Sequence, residues 1–177
     1  MRKDEYSGTA SALHGALAVL IVFLFALSWW MMALPFGTFR QFPFQLHKNV
    51  GLTLIAVLAL LLWARFRRPP VPPAISERYP RWMHRLAVVD HILLYVLVLA
   101  VCISGYLSSS FSGWATTWWG LIKLPDWGWE DERLNQLFSD VHLWTCWMLL
   151  AVIAFHIGAA VFHAFRRDGL VRRMLHL

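Results

Sequence analysis

Long apolar runs, separated by polar connections rich in proline or tryptophan, set the pattern of this chain. Four runs stand out, at about 9–35, 46–66, 86–108 and 141–165. A helix crossing a hydrocarbon core of about 30 Å needs roughly 20 residues, and each run has that length. No run has a proline in its interior, and Lys and Arg fall only near the run ends. Lipid offers the backbone no hydrogen-bond partner, so segments that span it close their own bonds as helices. The alternating polarity of an eight-stranded barrel is absent. The pattern therefore predicts an all-α, integral membrane four-helix bundle, a single domain over residues 1–177.

Composition points the same way. Of 177 residues, 59% are hydrophobic and 15% charged, against roughly 25% charged in a soluble domain. Eleven Trp and twelve Phe add apolar surface that so short a soluble chain has no interior to hide. The first run follows the head "MRKDEYSG", but it is longer than the 7–15 apolar residues of a signal peptide. It also lacks a small-x-small cleavage site, and so reads as a retained helix. Cys102 and Cys146 lie inside predicted spans and read as free buried thiols that pack as small hydrophobes.

Charge adds an orientation. Four spans put both termini on one side. The head, the second connection and the tail carry Arg2, Lys3, Arg65, Arg67, Arg68, Arg78, Arg81, Arg85, Arg166, Arg167, Arg172 and Arg173, twelve of the sixteen Lys plus Arg. Arg40, Lys48, Lys123 and Arg133 fall on the other side. The positive-inside rule then places both termini in the cytoplasm. The net charge of +6 is a topology signal, and no nucleic acid partner is implied.

The connections differ in kind. "RFRRPPVPPAISERYPRW", on the cytoplasmic side, has Pro69, Pro70, Pro72 and Pro73 to stop the second helix and favour an extended strap. "PFGTFRQFPFQ" reads as a short, aromatic external loop. The long external connection carries Trp114, Trp118, Trp119, Trp127 and Trp129. Trp at this density suits the headgroup layer, either as an interfacial anchor or as a lid over a site on that side.

The candidate chemistry lies in the histidines. The stretch "SDVHLWTCWMLLAVIAFHIGAAVFH" (139–163) places His142 and His156 in an otherwise apolar run. Fourteen residues at about 100° each fall within about 40° of four full turns, so the two share a face, about 21 Å apart along the axis. That is too far for one metal ion and suits two cofactors stacked across the membrane. Each has a partner at matching depth: His47 with His142 on the external side, His14 with His156 on the cytoplasmic side. Two bis-histidine pairs, on the first, second and fourth helices, would each clamp a planar haem, as axial His ligands do. Gly15, Gly51, Gly105 and Gly158 lie near these residues, where small side chains would let a porphyrin approach a helix. A lone membrane His can equally bond a neighbouring helix, but polar residues in lipid are costly and usually functional. His91, in the cytoplasmic half of the third helix, either competes with His14 for His156, bonds a haem propionate or lines a quinone pocket, and Asp90 beside it is either its partner or a residue of the interface. His84 and His163 read as interfacial.

These motifs resemble the bacterial cytochrome b561 family, four-helix dihaem membrane cytochromes. The resemblance runs from "ALHGAL" to "RRML" and rests on His14, on "LHKNVGL", on "VDHILLYVLVLAVCISGYLSSS" and on the His142/His156 spacing. One departure is Gly15, where members often have Trp. The resemblance implies a multi-pass protein of the bacterial inner membrane with two haem b, held by His14, His47, His142 and His156. It implies an electron carrier with quinone as one redox partner, and superoxide or a periplasmic redox protein as candidates for the other. Lys48 and Arg40 are then cations near the outer haem, placed to attract a small anion or to pair with propionates. Asp126, Glu130, Asp131, Glu132 and Asp140 would favour a basic protein partner instead. The remaining readings are a haem-bearing membrane anchor for such a protein and a His-lined metal or haem transporter. The spans offer the transporter almost no carboxylates.

Overall fold

The computed structural model describes residues 3–35, 37–67, 79–114 and 116–166. The elements run α1 (Lys3–Ala33), α2 (Thr38–Arg67), α3 (Arg81–Phe111), β1 (Thr117–Trp118), β2 (Ile122–Lys123) and α4 (Glu132–Arg166). All four helices are long and apolar enough to cross a membrane. The proline-rich connection around 68–78 and the tail from 167, with His176, lie outside the described residues.

The helices exceed the predicted spans at nearly every end. At about 1.5 Å per residue, the 31, 30, 31 and 35 residues of α1 to α4 outreach the hydrocarbon layer. Hydropathy marks only the part of a helix that lipid touches, so the polar end turns escape it. The largest correction concerns "PFGTFRQFPFQ". Most of this predicted loop is the start of α2, with Pro43 buried inside the helix. Proline deletes one backbone hydrogen bond close to the helix start, a loss that membrane helices tolerate. The turn itself is compressed around Gly37, whose φ of 121° suits only glycine.

α1 packs on α2 and α3 on α4, and the two hairpins meet mainly through α2 and α3. The shared core is small: Leu17 and Ile21 of α1, Leu54 and Leu58 of α2, Val98 of α3 and Leu149 of α4. Elsewhere the apolar side chains point outward, among them Val19, Val22, Leu60, Val96 and Trp144. Exposed apolar surface on this scale needs a non-aqueous surrounding, so the bundle is inside out relative to a soluble one.

The α3–α4 connection, expected as an interfacial anchor or a lid, contains a two-stranded antiparallel hairpin. Trp119 (φ 49°) and Gly120 (φ 69°) form its turn, both left-handed as a tight primed hairpin turn requires. Asp131 then starts α4 by accepting a bond from the Leu134 amide at 3.0 Å, an N-cap. That gives one residue of the external acidic group a structural task.

Candidate functional site

The fourth helix supplies one histidine to each end of the bundle, and the first and second helices answer them. His14 of α1 faces His156 with ring centres 6.3 Å apart, and His47 of α2 faces His142 at 6.2 Å. A metal–imidazole bond of about 2.0 Å on either side of one ion puts trans rings about 6 Å apart. Both pairs thus have the spacing of two ligands of a single metal, at the two depths expected from the sequence. His14 is exposed along its helix, and the other three are half-buried.

The other ring nitrogen of each α4 histidine is already engaged. His142 Nδ1 lies 2.8 Å from the Val101 carbonyl, with Ser104 Oγ at 3.4 Å. His156 Nδ1 lies 2.7 Å from Asp90 Oδ2. Such bonds fix the tautomer and leave Nε2 for a metal, the usual second contact of a metal-ligating imidazole. His47 Nδ1 is buried with no hydrogen-bond partner among the described residues. An unsatisfied imidazole nitrogen in this setting is costly, and ligation is one relief for a neutral imidazole. The residues present therefore fit two bis-histidine haem sites.

Two neighbours were read differently from the sequence alone. Asp90 pairs with His156 and stays 3.9 Å from His91 Nδ1. His91 instead places Nδ1 2.7 Å from the Ala87 carbonyl of its own helix. Its ring packs edge-on against His156 with centres 5.2 Å apart, nearer than trans ligands of one ion stand. Distance thus favours His14 over His91 opposite His156. Asp90, His91 and His156 also form a cluster whose ligand atoms lie within 4.8 Å of one another. The sequence signal for Asp90 was a carboxylate about one turn inside an apolar run, and what it lacked was the identity of the partner.

The glycines separate. A methyl at Gly105 would come within 3.0 Å of the His142 ring, so this glycine makes room for the histidine itself. At Gly15, Gly51 and Gly158 an added methyl meets no atom of the described residues within 4 Å.

The cations separate too. Arg40 turns back onto α1, with Nε 3.1 Å from the Leu34 carbonyl and Nη2 3.0 Å from that of Met32. It ties down the last carbonyls of α1. Lys48 stays half-buried directly after His47. Above this end the tryptophan hairpin docks on α2. The indoles of Trp118 and Trp119 donate to Thr53 Oγ1 at 3.2 and 3.1 Å, and the Trp119 amide donates to Asn49 Oδ1 at 2.7 Å. Trp114, Trp127 and Trp129 remain exposed. One connection thus holds both a segment docked beside the His47 pair and outward aromatic rings.

His84 borders a surface groove with Arg85, Val88 and Val89. His163 packs between Tyr79 and Phe162.

The sequence model described as prokaryotic cytochrome b561 matches residues 5–177. Cytochrome b561 homolog 2 of Escherichia coli K12 is 30% identical over 178 aligned residues, covering 97% of this chain and 92% of that protein. Cytochrome b561 homolog 1 of the same organism is 25% identical over 134 residues, 74% of this chain and 73% of the relative. With four membrane-length helices beneath that match, the chain belongs to the prokaryotic cytochrome b561 family, as a multi-pass inner-membrane haem b protein of electron transfer.

Proposed function

We propose that the protein carries two b haems, one between His47 and His142 and one between His14 and His156, and relays single electrons between them. The observation that carries this reading is the repeated ring spacing of 6.3 and 6.2 Å at two depths of one bundle. A bis-histidine haem supplies a one-electron couple with no open coordination position for substrate. The protein's part is to fix the ligands. α3 holds both imidazoles of α4 by their second nitrogen, through Val101 and Asp90, and α1 and α2 complete the pairs from the opposite hairpin.

The excess of Lys and Arg around the termini and the second connection supports a cytoplasmic location for that end. The His14/His156 pair is then the inner one and the His47/His142 pair the outer. Lys48, beside His47, is assigned to a propionate of the outer haem.

Quinone is the proposed membrane partner. A groove of about 300 Å³ between α2 and α3 is lined by Leu58, Leu62, Tyr95, Val96 and Leu99. At its edge the Arg65 guanidinium donates to the Tyr95 hydroxyl. Apolar walls with one polar corner suit a ring with two carbonyl acceptors and a prenyl tail.

The test is the haem-to-polypeptide ratio of the purified protein beside a His156→Ala variant, followed by addition of quinol. Two haems falling to one, with the remaining haem still reducible, supports the paired relay. A single haem, or a ratio indifferent to His156, removes the ligand assignment. Haems that quinol does not reduce and that, once reduced, quinone does not reoxidise remove quinone as partner.

A further inference from the structure

We infer that Asp90 tunes the inner site electronically, making it the lower-potential of the two centres by holding His156 through a carboxylate where His142 has only a backbone carbonyl. The inference rests on the proposed ligation of a haem by His14 and His156.

The two α4 histidines are equivalent in sequence and unequal in structure. His142 directs Nδ1 at the Val101 carbonyl at 2.8 Å, a neutral acceptor. His156 directs Nδ1 at Asp90 Oδ2 at 2.7 Å. A hydrogen bond to an ionised acceptor is roughly twice as strong as one between neutral groups. It draws the Nδ1 proton toward the carboxylate and makes Nε2 a stronger electron donor to a bound iron. A more basic ligand and a nearby negative charge both favour the oxidised, more positive iron. Second-shell bonding and burial are among the levers by which a protein sets haem potential.

Asp90 itself argues for such a task. Its side chain is only 6% exposed, in a helix that spans the membrane. Its second oxygen, Oδ1, is buried with no hydrogen-bond partner among the described residues. Ionisable groups at such depth are expensive and are kept for function. A neutral imidazole is a poor counterweight for a carboxylate. An imidazole whose far nitrogen ligates a cationic iron is a better one, because the metal's charge reaches Asp90 through the ring. His91 does not share the contact, since its Nδ1 is taken by the Ala87 carbonyl. Asp90 is thus a positioning residue acting through His156, and it touches no redox partner itself.

The test is a potentiometric titration of the full-length protein in detergent, following both haems optically, for wild type, His156→Ala, Asp90→Asn and Asp90→Glu. In wild type versus His156→Ala, the haem that disappears should be the lower-potential one. In Asp90→Asn the lower potential should rise by at least tenfold in the one-electron equilibrium, about 59 mV, while the upper one stays in place. Asp90→Glu, which keeps the charge, should recover part of the shift. A His156→Ala variant that loses the higher-potential haem overturns the inference, whether or not the Asp90 variants fold. So does an Asp90→Asn protein with two haems and unmoved potentials. A wild type with fewer than two haems, or a His156→Ala variant that keeps both, overturns the ligand reading and this inference together.

Discussion

At the scale of single residues, the site is built from atoms that leave one imidazole nitrogen free and occupy the other. Val101 and Asp90 do this for the two histidines of α4, one as a carbonyl and one as a carboxylate. Gly105 belongs with them, because the His142 ring lies where its side chain would be. Gly105→Ala should push that ring off its bond to Val101. Overpacking of this kind costs about 1–3 kcal/mol. The expected result is a lower melting temperature and loss or a shifted potential of the outer haem alone, read by thermal denaturation and redox titration. Unchanged spectra and melting would mean that the ring has room to move aside.

At the scale of elements, the tryptophan hairpin is held to α2 by few but directed bonds. Thr53 Oγ1 receives both indoles while donating to the Asn49 carbonyl at 2.9 Å. Thr53→Val keeps the shape and removes the acceptor. With about 1 kcal/mol for each lost hydrogen bond, amide exchange over 117–123 should accelerate on the order of tenfold or more. Exchange in the middle of α4 should stay as it was. Mass-spectrometric exchange in nanodiscs reads both, and equal protection in the variant would show that packing alone seats the hairpin. Much of this architecture was legible beforehand: four helices, their order and their apolar centres. The early start of α2 was not, because Pro43 and Gly37 read locally as loop residues. The backbone, helical from Thr38 through Pro43 and onward, shows that the helix absorbs it. The hairpin was equally hidden, since its strands are two residues each.

At the scale of the whole molecule, the bundle is two tight hairpins closed across a thinner seam by α2 and α3. The histidine pairs bridge that seam, α1 or α2 on one side and α4 on the other. Haem bound there, as proposed, would tie the hairpins together, and binding to the folded state alone would stabilise it. Protein produced without haem should therefore melt lower than the loaded form. Orientation belongs to the same scale. Fusion reporters at the C-terminus and at Gly120 should report cytoplasm and periplasm respectively. The reverse assignment would exchange the inner and outer labels of the two sites and leave their geometry intact.

By itself the sequence determined the membrane class, the number of spans and the two depths at which histidines meet. Apolar length and helical period are local properties, and a fixed rise per residue converts positions 142 and 156 into depths. Tertiary structure alone decided the partners. Whether Asp90 serves His91 or His156, and whether His14 or His91 stands opposite His156, depends on how α3 and α4 rotate against each other. The engagement of Arg40 by the end of α1 was likewise beyond the sequence, which offered it as a cation of the outer site. The physical reason is common to all three. Hydrogen bonding resolves distances of a few tenths of an ångström, and helix rotation and crossing set those distances through packing far along the chain.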